Sequence, residues 1–106
     1  MSTTPKPTKR QLELFEEILR ATEDRLQWRR NRAAGADEPM PAWDVEFGAF
    51  VRRPVRCILA LAEAGLVWAD ECHMARLCPV VAPEARFLPA PLRVRYRAAL
   101  RALRDD

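Results

Sequence analysis

Hydrophobic positions along this chain change period several times, and each change predicts an element. Leu12, Phe15, Ile18, Leu19, Thr22 and Leu26 recur at three- and four-residue steps, the one-sided stripe of an amphipathic helix. Thr8 followed by Gln11 fits a capping box, in which the hydroxyl accepts from the third amide and the glutamine reaches back. The helix therefore starts after Thr8 and continues to about Arg30. The alternation of Leu26 and Trp28 with polar neighbours also suits a short strand over 25–30. Residues 1–7 read as a flexible polar tail, and 33–41, with Gly35, Pro39 and Pro41, as an inserted loop.

Beyond the loop, Trp43, Phe47, Phe50 and Val51 fall at helical spacing and predict a short amphipathic helix with Asp44 near its start. Arg52-Arg53-Pro54 breaks it, because the residue before proline is steered away from helical backbone. Pro54 suits the first turn of a new helix, whose buried face is Val55, Ile58, Leu61, Ala62 and Leu66, with Gly65 as a left-handed cap. Val67–Ala69 predicts a short strand, 70–73 a turn, and Met74–Val81 a second strand held to an edge by Pro79. Pro83 and Pro89 keep the next stretch irregular. A last helix follows from about Pro91 to Leu103, with Leu92, Tyr96, Ala99, Leu100 and Leu103 facing inward. Trp28, Trp43, Phe47 and Trp68 are expected in the core, with a dimer contact as the other reading of Trp68. The fold class is mainly α with a small β-hairpin: three to four helices in one domain over 8–106.

Composition removes several functions. With 106 residues and 49% hydrophobic side chains, there is material for one core. No apolar run approaches the ~18–20 residues of a membrane span. The N-terminus carries no apolar signal region, so a soluble cytoplasmic protein is expected. Ser2 is the only serine, His73 the only histidine, and no Ser, Thr, Asn or Gln follows Arg32. A Ser–His–Asp triad is therefore not expected, and Gly35, Gly48 and Gly65 stand too far apart for a phosphate loop. The expectation is a non-enzyme, with no cofactor and no evident small-molecule substrate. Cys57, Cys72 and Cys78 make an odd set that argues against a disulfide framework. Together with His73 they could form a zinc site, but their spacing lacks the paired knuckles of zinc fingers, and no metal is expected.

Charge changes the picture through placement. The net charge is +3, and lysine appears only at Lys6 and Lys9. Residues 9–32 mix Arg with Glu13, Glu16, Glu17, Glu23 and Asp24. Arg52, Arg53 and Arg56, by contrast, form a cluster with no acid between Glu46 and Glu63. The stretch 86–104 carries Arg86, Arg93, Arg95, Arg97, Arg101 and Arg104 without any acid. Two local positive surfaces follow.

The order helix, loop, short helix, tight turn, helix, hairpin, helix resembles the winged helix-turn-helix domains of bacterial and phage DNA-binding proteins. The segment Ile58-Leu-Ala-Leu61-Ala-Glu-Ala64-Gly65-Leu66-Val67 carries the resemblance, because in those domains a run of this form ends the recognition helix and enters the wing. The opening Thr8-Lys-Arg-Gln11-Leu-Glu-Leu-Phe15 is similar to their first helix. The resemblance implies that the start of helix 54–64 meets duplex DNA through Arg52, Arg53 and Arg56, with the hairpin adding His73 and Arg76. It implies a transcriptional regulator or an accessory factor of a phage, plasmid or other mobile element. A homodimer through helices 9–30 and 91–103 is also expected. No Asn or Gln is present to grip adenine, so direct base reading would fall to arginine on guanine. The other reading is a protein-interaction or oligomerisation module built on a degenerate winged helix that does not bind DNA.

Overall fold

The computed structural model describes residues 6–105, so the first five residues of the expected tail lie outside the described residues. Helix α1 spans Lys9–Ala33, and its capping box forms as the sequence predicts. The Thr8 hydroxyl accepts from the Gln11 amide at 3.2 Å, and the Gln11 side chain accepts from the Thr8 amide at 3.1 Å. The stripe Leu14, Phe15, Ile18, Leu19, Thr22 and Leu26 is buried, and the helix runs through 25–30 without giving way to a strand. Thr22 is the one buried polar side chain among the described residues. Its hydroxyl donates to the Ile18 carbonyl one turn back, which satisfies it without a tertiary partner.

The helix expected over 43–51 is not there. Instead Val45–Glu46 forms strand β1, and Ala49–Val51 is a single 3-10 turn. The physical reason is an overlooked period of two: Val45 and Phe47 are buried while Glu46 between them is exposed. Val45 pairs with Ala75, and the Phe47 amide donates to the His73 carbonyl at 2.9 Å. Gly48 then takes φ +126°, a backbone that no helix contains and that side chains other than glycine rarely adopt. Its amide donates to the Arg53 carbonyl at 3.0 Å, folding 48–53 into a closed loop. Phe50, placed on the buried stripe by spacing alone, is fully exposed at the tip of that loop.

Helix α2 spans Val55–Glu63 after Pro54 at its N-cap. Its buried side chains are Cys57, Ile58 and Leu61; Val55, expected inward, is exposed instead. The helix ends as predicted at Gly65 with φ +79°. The Gly65 amide donates to Ala62 O at 3.0 Å and the Leu66 amide to Leu61 O at 3.1 Å, the paired bonds of a Schellman ending.

Strand β2 (Val67–Ala69) pairs antiparallel with β3 (Met74–Leu77), Trp68 facing Arg76 across the ladder. The sheet has three strands rather than the expected two, in the order β1-β3-β2. β3 stops at Leu77, short of the expected Val81. The turn between β2 and β3 is held by Asp70, whose Oδ1 accepts from the amides of Cys72 and Met74 at 2.9 and 3.0 Å. A second 3-10 stretch (Pro83–Phe87) leads to α3 (Ala90–Arg104).

One core joins these elements. Phe15, Ile18 and Leu19 of α1 meet Ile58 and Leu61 of α2, Leu66 and Leu77 beside and on the sheet, and Tyr96 and Leu100 of α3. The rings of Phe15 and Tyr96 meet edge-to-face at 5.7 Å. The Tyr96 hydroxyl accepts from the Ala82 amide at 2.9 Å and donates to the Val80 carbonyl at 3.4 Å, so α3 anchors the irregular segment after β3.

Burial, the largest influence, raises the Tyr96 phenol above its ordinary 10.0, while the hydrogen bond from Ala82 opposes that rise. Above pH 10.0 the unfolded chain releases this proton while the folded chain keeps it, so stability falls as pH rises. Tyr96→Phe leaves the Ala82 amide without its partner. It should cost about 1–3 kcal/mol at neutral pH and lessen the alkaline loss, both measured by urea denaturation across pH.

Candidate functional site

The α2 entrance is where the sequence places its first arginine cluster, and the structure gives its three members different surroundings. Arg52 ends the 3-10 turn in left-handed backbone, φ +58°, and is exposed. Arg56 lies exposed in the first turn of α2, near the positive end of the helix dipole. Among the described residues neither enters an ion pair. Arg53 is turned inward: its Nε donates to Glu17 Oε1 of α1 at 2.9 Å, its Nη2 bonds the same oxygen, and its Nη1 donates to the Glu46 carbonyl at 2.7 Å. The hydrogen bonds that Arg53 donates to Glu17 are the largest cause raising Arg53 above its ordinary value. Arg53 thus joins α1 and β1 to the α2 entrance, between the exposed Arg52 and Arg56.

Arg10 completes this end of the molecule. It shares one open cleft with Pro54, Val55 and Arg56, and another with Gly48, Arg52 and Arg53. No local signal in the sequence pairs Arg10 with Arg52 or Arg56; the capping box that starts α1 beside it fixes where it stands. The same end displays apolar side chains: Phe50, Val55 and Leu59 are exposed at 101%, 38% and 55%.

His73 is exposed, in left-handed backbone at φ +60°, at the end of the β2–β3 turn. Its ring meets Phe47 edge-on at 5.3 Å, which seats the turn beside the loop leading to Arg52. Arg76 belongs elsewhere. Its guanidinium lies 4.8 Å from the Trp68 ring and 5.8 Å from the Trp43 ring, and its Nε is 3.9 Å from Asp44 Oδ1. The hairpin therefore sends its two expected contacts to different clusters.

The sequence does not reveal that second cluster, because aromatic residues at helical spacing suit a core. Trp28 and Trp43 are half-buried and Trp68 is 46% exposed. Arg25 stacks on Trp28 and Trp43 at 5.3 and 4.9 Å, Arg32 on Trp28 at 5.3 Å, and Arg29 on Trp43 at 5.7 Å. Guanidinium planes cover the indole faces that a core would otherwise have to bury. Trp28 Nε1–H donates to the Glu38 carbonyl at 2.9 Å and pins the 34–41 loop. Among the described residues the buried Nε1 of Trp43, Nε of Arg25 and Oδ1 of Asp44 have no hydrogen-bond partner, each an unpaired group that ordinarily costs about 1–3 kcal/mol.

The acid-free run on α3 is also divided. Arg95 makes a two-pronged contact with Glu23 at 2.6 and 3.1 Å and reaches Glu16 at 3.4 Å, locking α3 to α1. Arg97, Arg101 and Arg104 remain exposed. The cysteines are free: Cys57 is buried, Cys78 half-buried and Cys72 exposed. Among the described residues no three His, Cys, Asp or Glu side chains gather to hold a metal, so the four ligands weighed for zinc are not brought together. No helix of the described residues is long and apolar enough to cross a membrane.

With this geometry in view, comparison with known protein families, curated proteins and solved structures finds no match. The established class is the architecture itself, a mainly helical domain with a small three-stranded antiparallel sheet.

Glu17→Gln removes the charge that orients Arg53. The pair is partly open to solvent, so the expected loss is about 1 kcal/mol or less. Protection of the 47–53 amides against hydrogen exchange should fall more than that of the core, a comparison read residue by residue.

Proposed function

We propose that this chain is a small winged-helix protein that binds duplex DNA without catalysing a reaction. The observation that carries the reading is the set of exposed arginines Arg10, Arg52 and Arg56 around the α2 N-terminus, with Arg53 bracing them from behind. The topology also supports it: a helix, a strand, a helix and then a hairpin whose second strand lies between the other two suits a winged helix. On this reading the first helix of the helix-turn-helix is reduced to the turn Ala49–Val51, and α2 is the recognition helix.

Arg10, Arg52 and Arg56 supply phosphate contacts, the α2 N-terminus adds its dipole, and His73 approaches the backbone from the turn. Arg53 and Arg76 are spoken for by Glu17 and the tryptophan cluster, so they support the surface rather than touch DNA. The outward face of α2 offers Leu59, Ala60 and Glu63 after Arg56. Such a face favours recognition by shape and charge over reading of base edges. Dimerisation through the outer surfaces of α1 and α3 belongs to the same proposal, with exposed Val94 as its apolar point, and sedimentation measures it.

A second reading is favoured by one observation, the exposure of Phe50, Val55 and Leu59 beside the arginines. Apolar side chains displayed together on a small domain suit a protein partner.

Anisotropy titration of a random duplex at about 50 and 200 mM salt separates the two readings. The DNA reading expects binding that weakens steeply with salt. Arg52→Ala combined with Arg56→Ala should weaken binding at least about tenfold and lower the salt slope by about 2. Absence of binding at the lower salt supports the protein-partner reading, and binding unaffected by the double substitution removes the α2 entrance from the contact surface.

A further inference from the structure

Between α1, the outer sheet face and the end of α3 lies a cavity of about 460 Å³, lined by Arg29, Trp43, Trp68, Arg76, Leu77 and Leu103 together with Pro79. We propose that this cavity binds a small planar aromatic molecule carrying an anionic group. The proposal does not depend on the DNA reading, since none of its lining residues is among the proposed DNA contacts.

The chemistry of the wall selects the ligand. Two indoles, Leu77, Pro79 and Leu103 give flat and aliphatic surfaces against which a ring can lie. Cationic groups are set over those same indoles: Arg76 spans Trp68 and Trp43, and Arg29 covers Trp43 from the α1 side. A ligand that is only apolar would leave Arg76 with nothing nearer than its 3.9 Å contact to Asp44. An aliphatic anion would make no use of the exposed indole of Trp68. A ring with a carboxylate or phosphate answers both, and the volume lies within the ordinary range for small-molecule sites.

Two features of the protein's own bonding point the same way. Arg76 reaches its acidic neighbour Asp44 only at 3.9 Å, and among the described residues that carboxylate oxygen, Oδ1, takes part in no hydrogen bond. The guanidinium is therefore held loosely by an internal counter-ion and can turn to a closer one. Trp43, at the wall, has a solvent-shielded Nε1–H with no acceptor among the described residues, a donor that an oxygen of the ligand would satisfy. Trp68 and Arg76 are fixed opposite one another by the β2–β3 register, so this part of the site rests on a strand pair rather than a loop.

The test is an NMR titration of the whole 15N-labelled chain, following the indole N–H signals. The probe is 2-naphthoate, compared with the neutral 2-naphthalenemethanol and with cyclohexanecarboxylate, an anion without a flat ring. Saturable shifts of Trp43 and Trp68 by 2-naphthoate are expected, with each comparison compound at least about tenfold weaker. Arg76→Gln and Trp68→Ala should each weaken the naphthoate about tenfold while leaving the core amide spectrum in place; Trp68 is exposed enough for its removal to spare the fold. Adenosine monophosphate is run in parallel. If it saturates more tightly than the naphthoate, the ring and anion come from a nucleotide; if more weakly, from an aromatic acid. No saturable shift with either ligand at millimolar concentration, equal affinity for all three naphthoate-series compounds, or unchanged binding by well-folded Arg76→Gln overturns the proposal.

Discussion

Everything in this domain is arranged around the burial of one helical stripe. Phe15, Ile18 and Leu19 of α1 are fully enclosed, and α2, the sheet and α3 each complete part of the enclosure. α2 and the strands are too short to carry a core alone, and α3 packs its Tyr96 and Leu100 into the same enclosure. The acids flanking the stripe give the arrangement its direction. Glu17 takes Arg53 from the α2 entrance, while Glu16 and Glu23 take Arg95 from α3. Apolar packing supplies most of the cohesion; the half-exposed ion pairs contribute little energy and instead fix how neighbouring elements are oriented.

The same division sorts the arginines, which the sequence presents as two acid-free clusters. Arg53 and Arg95 look like members of those clusters but are structural, because their partners come from α1, 36 and 72 residues away. Arg10 looks unremarkable in a charge-balanced helix and yet joins Arg52 and Arg56 in space. A positive surface in this chain is thus a product of the packing, and counting charge along the chain overstates it at some positions and misses it at others.

What could be read from the chain was local. The capping box at Thr8, the α1 stripe, the Schellman ending at Gly65 and the β2–β3 pairing all depend on residues close in sequence, and all are present. Segment 43–51 departs from its helical expectation because its spacing fits a helix while its true partner, β3, lies about thirty residues on; only pairing with Ala75 makes the alternation of Val45 and Phe47 decisive. The tryptophan cluster was illegible for a related reason. Indoles separated by fifteen and twenty-five residues meet only once α1 crosses the sheet, and arginine cover removes the need to bury them. Of the site at the α2 entrance, Arg52, Arg53 and Arg56 are legible as a cluster, whereas the inward turn of Arg53 to Glu17 and the presence of Arg10 beside them are not.

The gathering of all three indoles at one surface corner also decides what light can report about this molecule. Emission excited in the indole band will follow the solvent contact and quenching of that corner, where guanidinium groups lie against the rings. The core, built around Phe15 and Tyr96 without any tryptophan, will be nearly silent. Loosening at the 34–41 loop, which Trp28 holds by a single hydrogen bond, would therefore be recorded as a change in fluorescence well before the helices separate.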